Sequence, residues 1–379
     1  MRVVIAPDKF KDCLTASEVA DAIAGGVRNV DPLIEIELCP MADGGEGTVE
    51  ALVAATGGKI VIRHVTGPLP RMKVDAPIGI LGDGVTAVIE MSSASGLYLL
   101  KGDQRDPTRT TTYGTGELLR EAQRLGATKI IVGIGGSATV DGGIGAAQAW
   151  GATFTLSSGS VYRENGRRLT GGDLMRLRSI ESSLPLETLG IEFTVACDVG
   201  NPLLGPDGAA AIFGPQKGAT PEQVDQLESG LSRLVEKTGR HDLADKPGAG
   251  AAGGLGFGMM AFFNATLRPG IQIMIDALRL RERLKGADLC ITGEGKLDSQ
   301  SLAGKTSIGV AQLCKEMNIP CIALAGAVDS AIETMAKEQG LTASFAIARG
   351  PTTLEDSLTH AAELLKRTAE QAFRCVAAR

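Results

Sequence analysis

Carboxylates and glycines directly follow apolar runs at four separate places in the sequence. The segments are residues 5–9, 38–47, 195–202 and 291–298. In open α/β sheets, ligands bind outside the carboxyl ends of the strands, so carboxylates repeated at such positions are candidates for one site. A fifth segment, 133–143, adds hydroxyls and a predicted helix N-terminus, whose amides suit phosphate or carboxylate. Turn and capping preferences explain any single loop of this kind, but they explain all five together poorly.

These residue types favour phosphoryl transfer. Carboxylates hold Mg²⁺, amides and lysines neutralise phosphate oxygens, and a further carboxylate can take the proton of the acceptor hydroxyl. Histidine-dependent hydrolysis fits poorly, because the three histidines lie outside the five loops. A dinucleotide site is disfavoured too, since no acidic residue stands about 20 positions after Gly133 to hold a ribose. The segment 304–306 resembles the end of a phosphate-binding loop, but Ser299 stands where its first glycine is needed.

Composition narrows the classes of partner and compartment. The net charge of −6, without a basic stripe, disfavours a nucleic-acid partner. The seven widely spaced cysteines favour neither structural zinc nor a disulfide framework. No apolar stretch is long enough for a membrane span, and the N-terminus does not read as a signal peptide. We therefore expect a cytoplasmic protein, without a membrane or nucleic-acid partner, that is a monomer or a homodimer.

The order of elements predicts two α/β domains, with one inserted into the other. Capping boxes at Thr15–Glu18 and Thr220–Gln223 open helices, the second with Pro221 at its first position. Further predicted elements are antiparallel β runs at 60–65, 73–80 and 85–91, a helix at 221–237, a strand at 289–292, helices at 305–317 and 331–339, and a last helix capped by Thr352 and Glu355. The predicted fold is a discontinuous, parallel-sheet, Rossmann-like domain (1–62 plus 286–379) carrying an inserted mixed-sheet α/β domain (63–285), with a cleft between them.

Taken together and in this order, seven segments resemble the type-1 bacterial glycerate kinases along essentially the whole chain. The segments are 5–11, 42–48, 133–143, 197–208, 213–218, 248–254 and 292–305. The resemblance implies a two-domain α/β enzyme that uses ATP and Mg²⁺ to phosphorylate D-glycerate at its 2-hydroxyl. Two positions depart from the family pattern, Cys13 in place of a small hydroxyl residue and Val140 in place of asparagine. These departures bear on local ligand contacts.

Candidate roles follow from the strand-end positions. Asp198 is the predicted general base, or the residue that orients the substrate hydroxyl, and it is grouped with Lys9 and Asp43 as catalytic. The predicted substrate-binding residues are Ser137, Thr139, Asp141, Arg71, Arg109 and Asn201. The predicted cofactor-binding residues are Asp8, Gly44, Gly45, Gly293, Gly295 and Lys305. The predicted Mg²⁺ ligands are Glu46, Glu294 and Asp298.

Two other function classes stay open at the level of sequence. A non-catalytic, two-domain binder of small sugar acids would need cationic and hydroxyl residues but no metal carboxylates, so the four acidic loops argue against it. A phosphatase would release inorganic phosphate without an acceptor alcohol. The residues alone do not separate 2- from 3-phosphorylation.

Overall fold

The chain folds into two compact units, and its path passes from the first unit through the second and back. The computed structural model describes residues 1–42, 47–163, 166–181, 190–299, 301, 305–330, 333–348, 350 and 352–378. One unit comprises Met1–Asp43 with Pro269–Arg379, and the other comprises Gly44–Arg268. The predicted arrangement of a discontinuous α/β domain carrying an inserted mixed-sheet domain is confirmed. The predicted interdomain cleft stays a prediction.

Strands and helices alternate at both ends of the chain. The strands of the described residues are β1 (Arg2–Ile5), β2 (Glu35–Leu38), β3 (Lys59–Thr66), β4 (Lys73–Ile80), β5 (Thr86–Glu90), β6 (Lys129–Gly133), β7 (Thr153–Leu156), β8 (Val161–Tyr162), β9 (Leu177–Glu181), β10 (Glu192–Ala196), β11 (Thr266–Arg268), β12 (Leu289–Leu297), β13 (Cys321–Val328) and β14 (Ala343–Ala346). The helices are α1 (Ala16–Val30), α2 (Thr48–Thr56), α3 (Ser92–Ser95), α4 (Tyr113–Arg124), α5 (Ile144–Trp150), α6 (Ala209–Phe213), α7 (Pro221–Thr238), α8 (His241–Ala244), α9 (Ala251–Phe263), α10 (Gly270–Ala277), α11 (Leu280–Arg283), α12 (Thr306–Glu316), α13 (Glu333–Glu338), α14 (Leu354–Thr359) and α15 (Ala361–Ala377).

The first unit is built on a parallel sheet. Within the described residues this sheet has five strands in the order β14-β13-β12-β1-β2. Helix α1 begins at the predicted capping box, in which Thr15 accepts from the amide of Glu18 at 3.3 Å. Its buried face packs against α15, and Gly26 permits that approach because a Cβ there would clash with the carbonyl oxygen of Lys366. The parallel sheet places the ends of β1 and β12 side by side.

The second unit is built on a mixed sheet. Among the described residues its order is β11-β10-β6-β5-β4-β3, with β11, β10, β6 and β5 parallel and the β5-β4 and β4-β3 pairs antiparallel. The predicted antiparallel hairpins are thus confirmed. A smaller antiparallel sheet, β8-β7-β9, belongs to the same unit. T-shaped contacts among Trp150, Phe193 and Phe263 help to fill its core.

The unit boundaries differ from the predicted positions at 62 and 285, and helix packing explains the difference. Helix α2 packs on β4, where a Cβ at Gly79 would lie 2.7 Å from Val53, so α2 belongs to the second unit. Helix α10 packs on α12, where a Cβ at Gly309 would clash with Ile271, so α10 belongs to the first unit. The chain therefore changes units before α2 and before α10.

Two other predicted boundaries were wrong. Strand β12 continues to Leu297 instead of ending at 292, because its pairing with β13 continues through Glu294 opposite Ala325. The glycines in this stretch indicated a loop but are tolerated inside the strand. Helix α14 is capped by Thr353, whose hydroxyl accepts from the amide of Asp356 at 3.1 Å, instead of by the predicted Thr352. The capping box of α7 and its Pro221 are confirmed.

In the part of the chain that the structure describes, no helix has both the length and the apolar character that crossing a membrane requires.

Candidate functional site

In the first unit, acidic side chains lie just beyond β1, in the second half of β12 and just beyond β12. The two strands are parallel neighbours with Ile5 opposite Ile291. Just beyond β1, the amide of Asp8 donates to the carbonyl of Gly293 at 2.8 Å. The hydroxyl of Thr306, the first residue of α12, donates to a carboxylate oxygen of Asp8 at 2.6 Å. Strand β12 thus holds the backbone of Asp8, and the start of α12 holds its carboxylate.

Glu294 is the buried carboxylate of this set. Its side chain is 8% exposed, and one oxygen accepts from the Ser301 hydroxyl at 2.9 Å. Its other oxygen, Oε1, is buried and has no hydrogen-bond partner among the described residues. Burial, with a smaller contribution from the charge of Asp8, raises the pKa of Glu294 to about 7, against the lowering effect of Ser301, of Lys305 and of the nearby Ser307 hydroxyl, which makes no hydrogen bond to Oε1. A cation beside Glu294 would relieve both the burial and the like charge.

Asp298 and Lys305 lie next to Glu294 along the chain. The Asp298 carboxylate pairs with Lys296 at 3.2 Å, and its amide donates to the Ser301 hydroxyl at 3.2 Å. Ser301 therefore contacts both Glu294 and the turn that begins at Asp298. Lys305 is the N-cap residue of α12, directly before Thr306. The lysine ammonium and the backbone amides of the helix N-terminus can both bind phosphate oxygens.

These residues fit a magnesium ion that is shared with a phosphate substrate. Among the described residues, no three carboxylates bring their oxygens within 4.8 Å of one another. A site made wholly of protein ligands is therefore not assembled by that part of the chain. Mg²⁺ commonly uses one or two carboxylates plus waters and substrate phosphates. The partnerless oxygen of Glu294 and the neighbouring Asp8 meet that requirement.

Three further candidates of the first unit, Gly293, Gly295 and Lys9, lie among the described residues. Gly293 and Gly295 lie within β12, and a Cβ at Gly293 would clash with the carbonyl of Leu324 in β13. Strand packing therefore accounts for the glycine at 293. Lys9 is half-buried directly after Asp8. The predicted residues Asp43, Gly44, Gly45 and Glu46 lie outside the described residues.

In the second unit, Asp141 holds together the loop that follows β6. It is fully buried, and its carboxylate accepts from the amide and hydroxyl of Thr112 at 2.8 and 2.9 Å. It also accepts from the amides of Gly143 and Gly145 at 3.0 and 3.3 Å, at the start of α5. Burial raises the pKa of Asp141 in spite of these four donors. Its carboxylate organises the loop and does not line an open pocket.

Lys217 is a buried lysine that contacts the same loop. Its ammonium donates to the Ser137 hydroxyl and to the Thr139 carbonyl, both at 2.7 Å. Burial lowers the pKa of Lys217 to about 7, while the charge of Asp141 acts in the opposite direction. The Thr139 hydroxyl is also buried and has no partner among the described residues. The predicted pair Ser137 and Thr139 is thus brought together around a cation.

Glu90 ends β5, the strand beside β6. Its carboxylate accepts from the amide of Val49 at 3.0 Å, at the start of α2. Burial, helped by the nearby Glu50, raises the pKa of Glu90 to about 7. The geometry shows a buried carboxyl group bound to a helix N-terminus.

Asp198 lies beyond the end of β10, the other neighbour of β6. Ala196 is opposite Gly133 in the sheet, so the two loops leave adjacent strands at the same level. The Asp198 side chain is exposed. Asn201, three residues later, donates to the carbonyl of Asp207 at 2.8 Å, which shapes this loop.

Arg71 and Arg109, which are remote in sequence, line one cavity of about 560 Å³ in the second unit. Arg167 and Arg176 line it as well, and Arg167 is held by both oxygens of Asp173 at 3.1 Å. Next to Arg109, the Thr110 hydroxyl donates to the carbonyl of Ala138 at 3.0 Å. Thr110 therefore connects the wall of the cavity to the loop that follows β6, here called the Ser137 loop. With several arginines in its lining, the cavity suits an anionic group.

Sequence reasoning missed Lys217 and Glu90. The signal for Glu90 was present, because the apolar run before it ends in a carboxylate as the four recognised loops do. Lys217 lies in the segment 213–218, which carried part of the family resemblance but received no role. Its burial depends on contacts with residues about 80 positions away, so only the fold reveals it.

Comparisons with known proteins agree along the whole chain. The model of the glycerate kinase family matches residues 3–377. The chain is 47% identical to a glycerate kinase of Bacillus subtilis strain 168, over 97% of this chain and 96% of that protein. It is also 47% identical to a glycerate 2-kinase of Escherichia coli K12, over 94% of this chain and 93% of that protein. A crystal structure of a protein assigned as glycerate kinase 2 from Salmonella typhimurium LT2 superposes with a TM-score of 0.89 at 46% identity, covering 100% of this chain and 98% of that one.

Proposed function

The chain belongs to the glycerate kinase family, and from this premise we propose that it transfers the γ-phosphoryl group of ATP to the 2-hydroxyl of D-glycerate. The product would be 2-phosphoglycerate. The names of its relatives support glycerate as the substrate class, and a kinase of this family implies ATP as the phosphoryl donor. The choice of the 2-hydroxyl rests on the resemblance and on the relative named a glycerate 2-kinase.

We assign the phosphate-binding role to the first unit. Glu294 and Asp8 would hold Mg²⁺, with Asp298 in direct or water-mediated contact. Asp43 and Glu46, which lie outside the described residues, keep their predicted roles. A magnesium ion held by these carboxylates would supply positive charge to offset the negative charge of the phosphoryl group. Lys9, Lys305 and the amides around Gly293 and Gly295 would contact phosphoryl oxygens. The predicted cofactor-binding role of Gly44 and Gly45 is kept as well. The N-terminus of α12 favours negative charge at the same place.

We assign the glycerate-binding role to the second unit. Asp198 would accept the proton of the attacking hydroxyl, because it is an exposed carboxylate at a strand end beside the Ser137 loop. Arg71 and Arg109 would bind the glycerate carboxylate. Ser137 would bind its oxygens with Lys217 behind it, and the fully buried Thr139 would hold the Lys217 ammonium through its carbonyl. Asn201 would shape the Asp198 loop. Asp141 would position the loop instead of contacting the substrate.

The buried Glu294 carboxylate is the observation that best supports phosphoryl transfer. A carboxylate that is 8% exposed, has a partnerless oxygen and lies near a second acid is unfavourable without a cation. A binder of sugar acids has no use for it. A magnesium-dependent kinase requires such a group.

The test is a magnesium-dependent assay of ADP release with D-glycerate and ATP, followed by phosphorus NMR of the product. We expect turnover only with all three components and a single 2-phosphoglycerate resonance. A 3-phosphoglycerate resonance would contradict the choice of the 2-hydroxyl alone. Absence of ADP release with bound glycerate would favour the sugar-acid binder, and phosphate release without an acceptor would favour a phosphatase.

A further inference from the structure

Three cysteines that are far apart in sequence meet in the core of the first unit. Cys290 lies in β12, Cys321 in β13 and Cys314 in α12. All three side chains are fully buried, and their sulfur atoms all lie within 4.8 Å of one another. Each carries a free thiol. We refer to these three residues as the thiol cluster.

The backbone fixes the convergence of the three thiols. Cys290 and Cys321 are opposite each other in the parallel register of β12 and β13, so their side chains leave the same face of the sheet. Cys314 lies on α12, and its sulfur is within 4.8 Å of the sulfurs of Cys290 and Cys321. No histidine, carboxylate or fourth cysteine of the described residues joins this group. The cluster is therefore a fully buried three-sulfur arrangement.

We propose that the thiol cluster is a binding site for trivalent arsenic, taken up from neutral arsenous acid, with one arsenic atom bonded to the sulfurs of Cys290, Cys314 and Cys321. Three As–O bonds break and three As–S bonds form. Each thiol proton leaves with a hydroxide as water, so arsenous acid and three thiols give one trithiolate and three waters. Arsenic stays trivalent, and no oxidant or reductant is needed.

Charge selects this ligand over the common thiophilic metal ions. The arsenic trithiolate is neutral, so its formation leaves no net charge in the core. Zn²⁺ with three thiolates carries a net charge of −1 and lacks the fourth ligand of its usual tetrahedral site. Cu⁺ with three thiolates carries −2. Net charge is strongly unfavourable in a fully buried environment, so both ions are disfavoured there.

Two variants separate the thiol cluster from the other four cysteines. The first retains only the cluster and combines Cys13→Ser, Cys39→Ala, Cys197→Ser and Cys375→Ser. The second is Cys314→Ala, which leaves two sulfurs. The full-length proteins are reduced and incubated with sodium arsenite, and in parallel are refolded in its presence so that burial does not limit access. After gel filtration, bound arsenic is counted by native mass spectrometry, and its neighbours are identified by X-ray absorption.

We expect one arsenic per chain with three sulfur neighbours in the parent and in the cluster-only variant. We expect loss of retained arsenic in Cys314→Ala and no retained zinc when Zn²⁺ replaces arsenite. Undiminished retention in Cys314→Ala, fewer than three sulfur neighbours, or no arsenic after refolding would each overturn the proposal. Retention of zinc without arsenic would overturn it too. If Cys314→Ala fails to fold, the number of sulfur neighbours in the cluster-only variant decides the question. The proposal does not depend on the proposed kinase activity.

Discussion

The carboxyl ends of the parallel strands in the two units have the same kind of topology but opposite chemistry. In the first unit that edge carries Asp8, Glu294 and, just beyond β12, Asp298, a set that suits a cation. In the second unit acids such as Glu90 and Asp198 also lie at or just beyond strand ends, but the loop after β6 contacts the buried Lys217 and arginines line a nearby cavity, and these cations suit an anion. Strand topology therefore provides the place for a ligand, and the side chains at the strand ends determine which ligand binds there.

Burial shifts the pKa of Glu294 in the first unit and of Lys217 in the second unit in opposite directions. Glu294 is 8% exposed and Lys217 is 2% exposed. Burial disfavours the charged form of each, so the pKa of the acid rises to about 7 and that of the base falls to about 7. Both groups thus change charge near neutral pH. A bound ligand of opposite charge would stabilise the ionised form in either case.

Asp198 gives the strongest test of this contrast between the two units, because it is an acid in the unit that we assign to glycerate binding. We expect Asp198→Ala to lower kcat by about 10²–10⁴-fold, the usual range for loss of a general base. Affinity for Mg-ATP, measured by calorimetry, should stay unchanged. The exposed Asp225 of α7 supplies a matched control in Asp225→Ala. Near-normal turnover in Asp198→Ala would remove this residue from the mechanism.

Glu294 tests the cation-binding edge. Removal of its charge in Glu294→Gln should lower kcat/KM by about 10²–10³-fold, because charge stabilisation of the phosphoryl group is lost. The loss should appear in the KM for Mg-ATP and in a higher magnesium requirement, with the KM for glycerate unchanged. Glu316→Gln, at the exposed end of α12, is the matched variant. An unchanged magnesium dependence in Glu294→Gln would contradict the assignment.

Stability measurements show whether Glu294→Gln folds and test the pKa of Glu294. The folded protein retains the Glu294 proton up to a pH of about 7, whereas the unfolded chain loses it near 4.5. The stability that this proton provides is present below 4.5 and is lost as the pH rises through 7. In urea titrations, the free energy of unfolding of Glu294→Gln should therefore rise relative to that of the parent between pH 4.5 and 7, by up to about 3 kcal/mol.

Lys217 should give a pH dependence in a different window. Its pKa is lowered to about 7 in the fold from 10.5, so between these values the unfolded chain binds a proton that the folded chain does not. The free energy of unfolding of the parent should therefore gain up to about 1.4 kcal/mol per pH unit from this residue as the pH rises from 7. Lys217→Met should lack this slope. Lys237→Met, at an exposed site on α7, should keep the parent slope, and equal slopes in both variants would contradict the lowered pKa.

Much of the fold follows from local sequence signals. The capping boxes of α1 and α7 and the hairpin runs of β3, β4 and β5 are determined by residues close together in the chain, and they were predicted correctly. The extent of β12 was not, because its glycines are compatible with a loop and only the pairing with β13 keeps them extended. The unit boundaries likewise depend on where α2 and α10 pack, which no local pattern contains.

The candidate site follows the same division. Acids such as Asp8 and Glu294 were recognisable because each follows an apolar run. The burial of Asp141 was not recognisable, because it depends on contacts with Thr112, which lies 29 residues away in the sequence. The role of Lys217 is hidden for the same reason. Sequence indicates which residues are chemically suitable, and packing determines which of them are accessible.

The smallest expected effect compares the two arginines of the cavity. Arg109 is adjacent to Thr110, which is bonded to the Ser137 loop, whereas Arg71 lies in the turn between β3 and β4 at the edge of the sheet farthest from β10. We expect Arg109→Ala to raise the KM for glycerate about tenfold, equivalent to about 1.4 kcal/mol, with kcat unchanged, as for loss of uniform binding. Arg71→Ala should have a smaller effect of the same kind. Steady-state kinetics with each substrate varied would check both, and the KM for ATP should not move in either variant. A larger effect at Arg71, or a change confined to ATP, would mean that the cavity does not bind the glycerate carboxylate and that the contrast between the two edges must be redrawn.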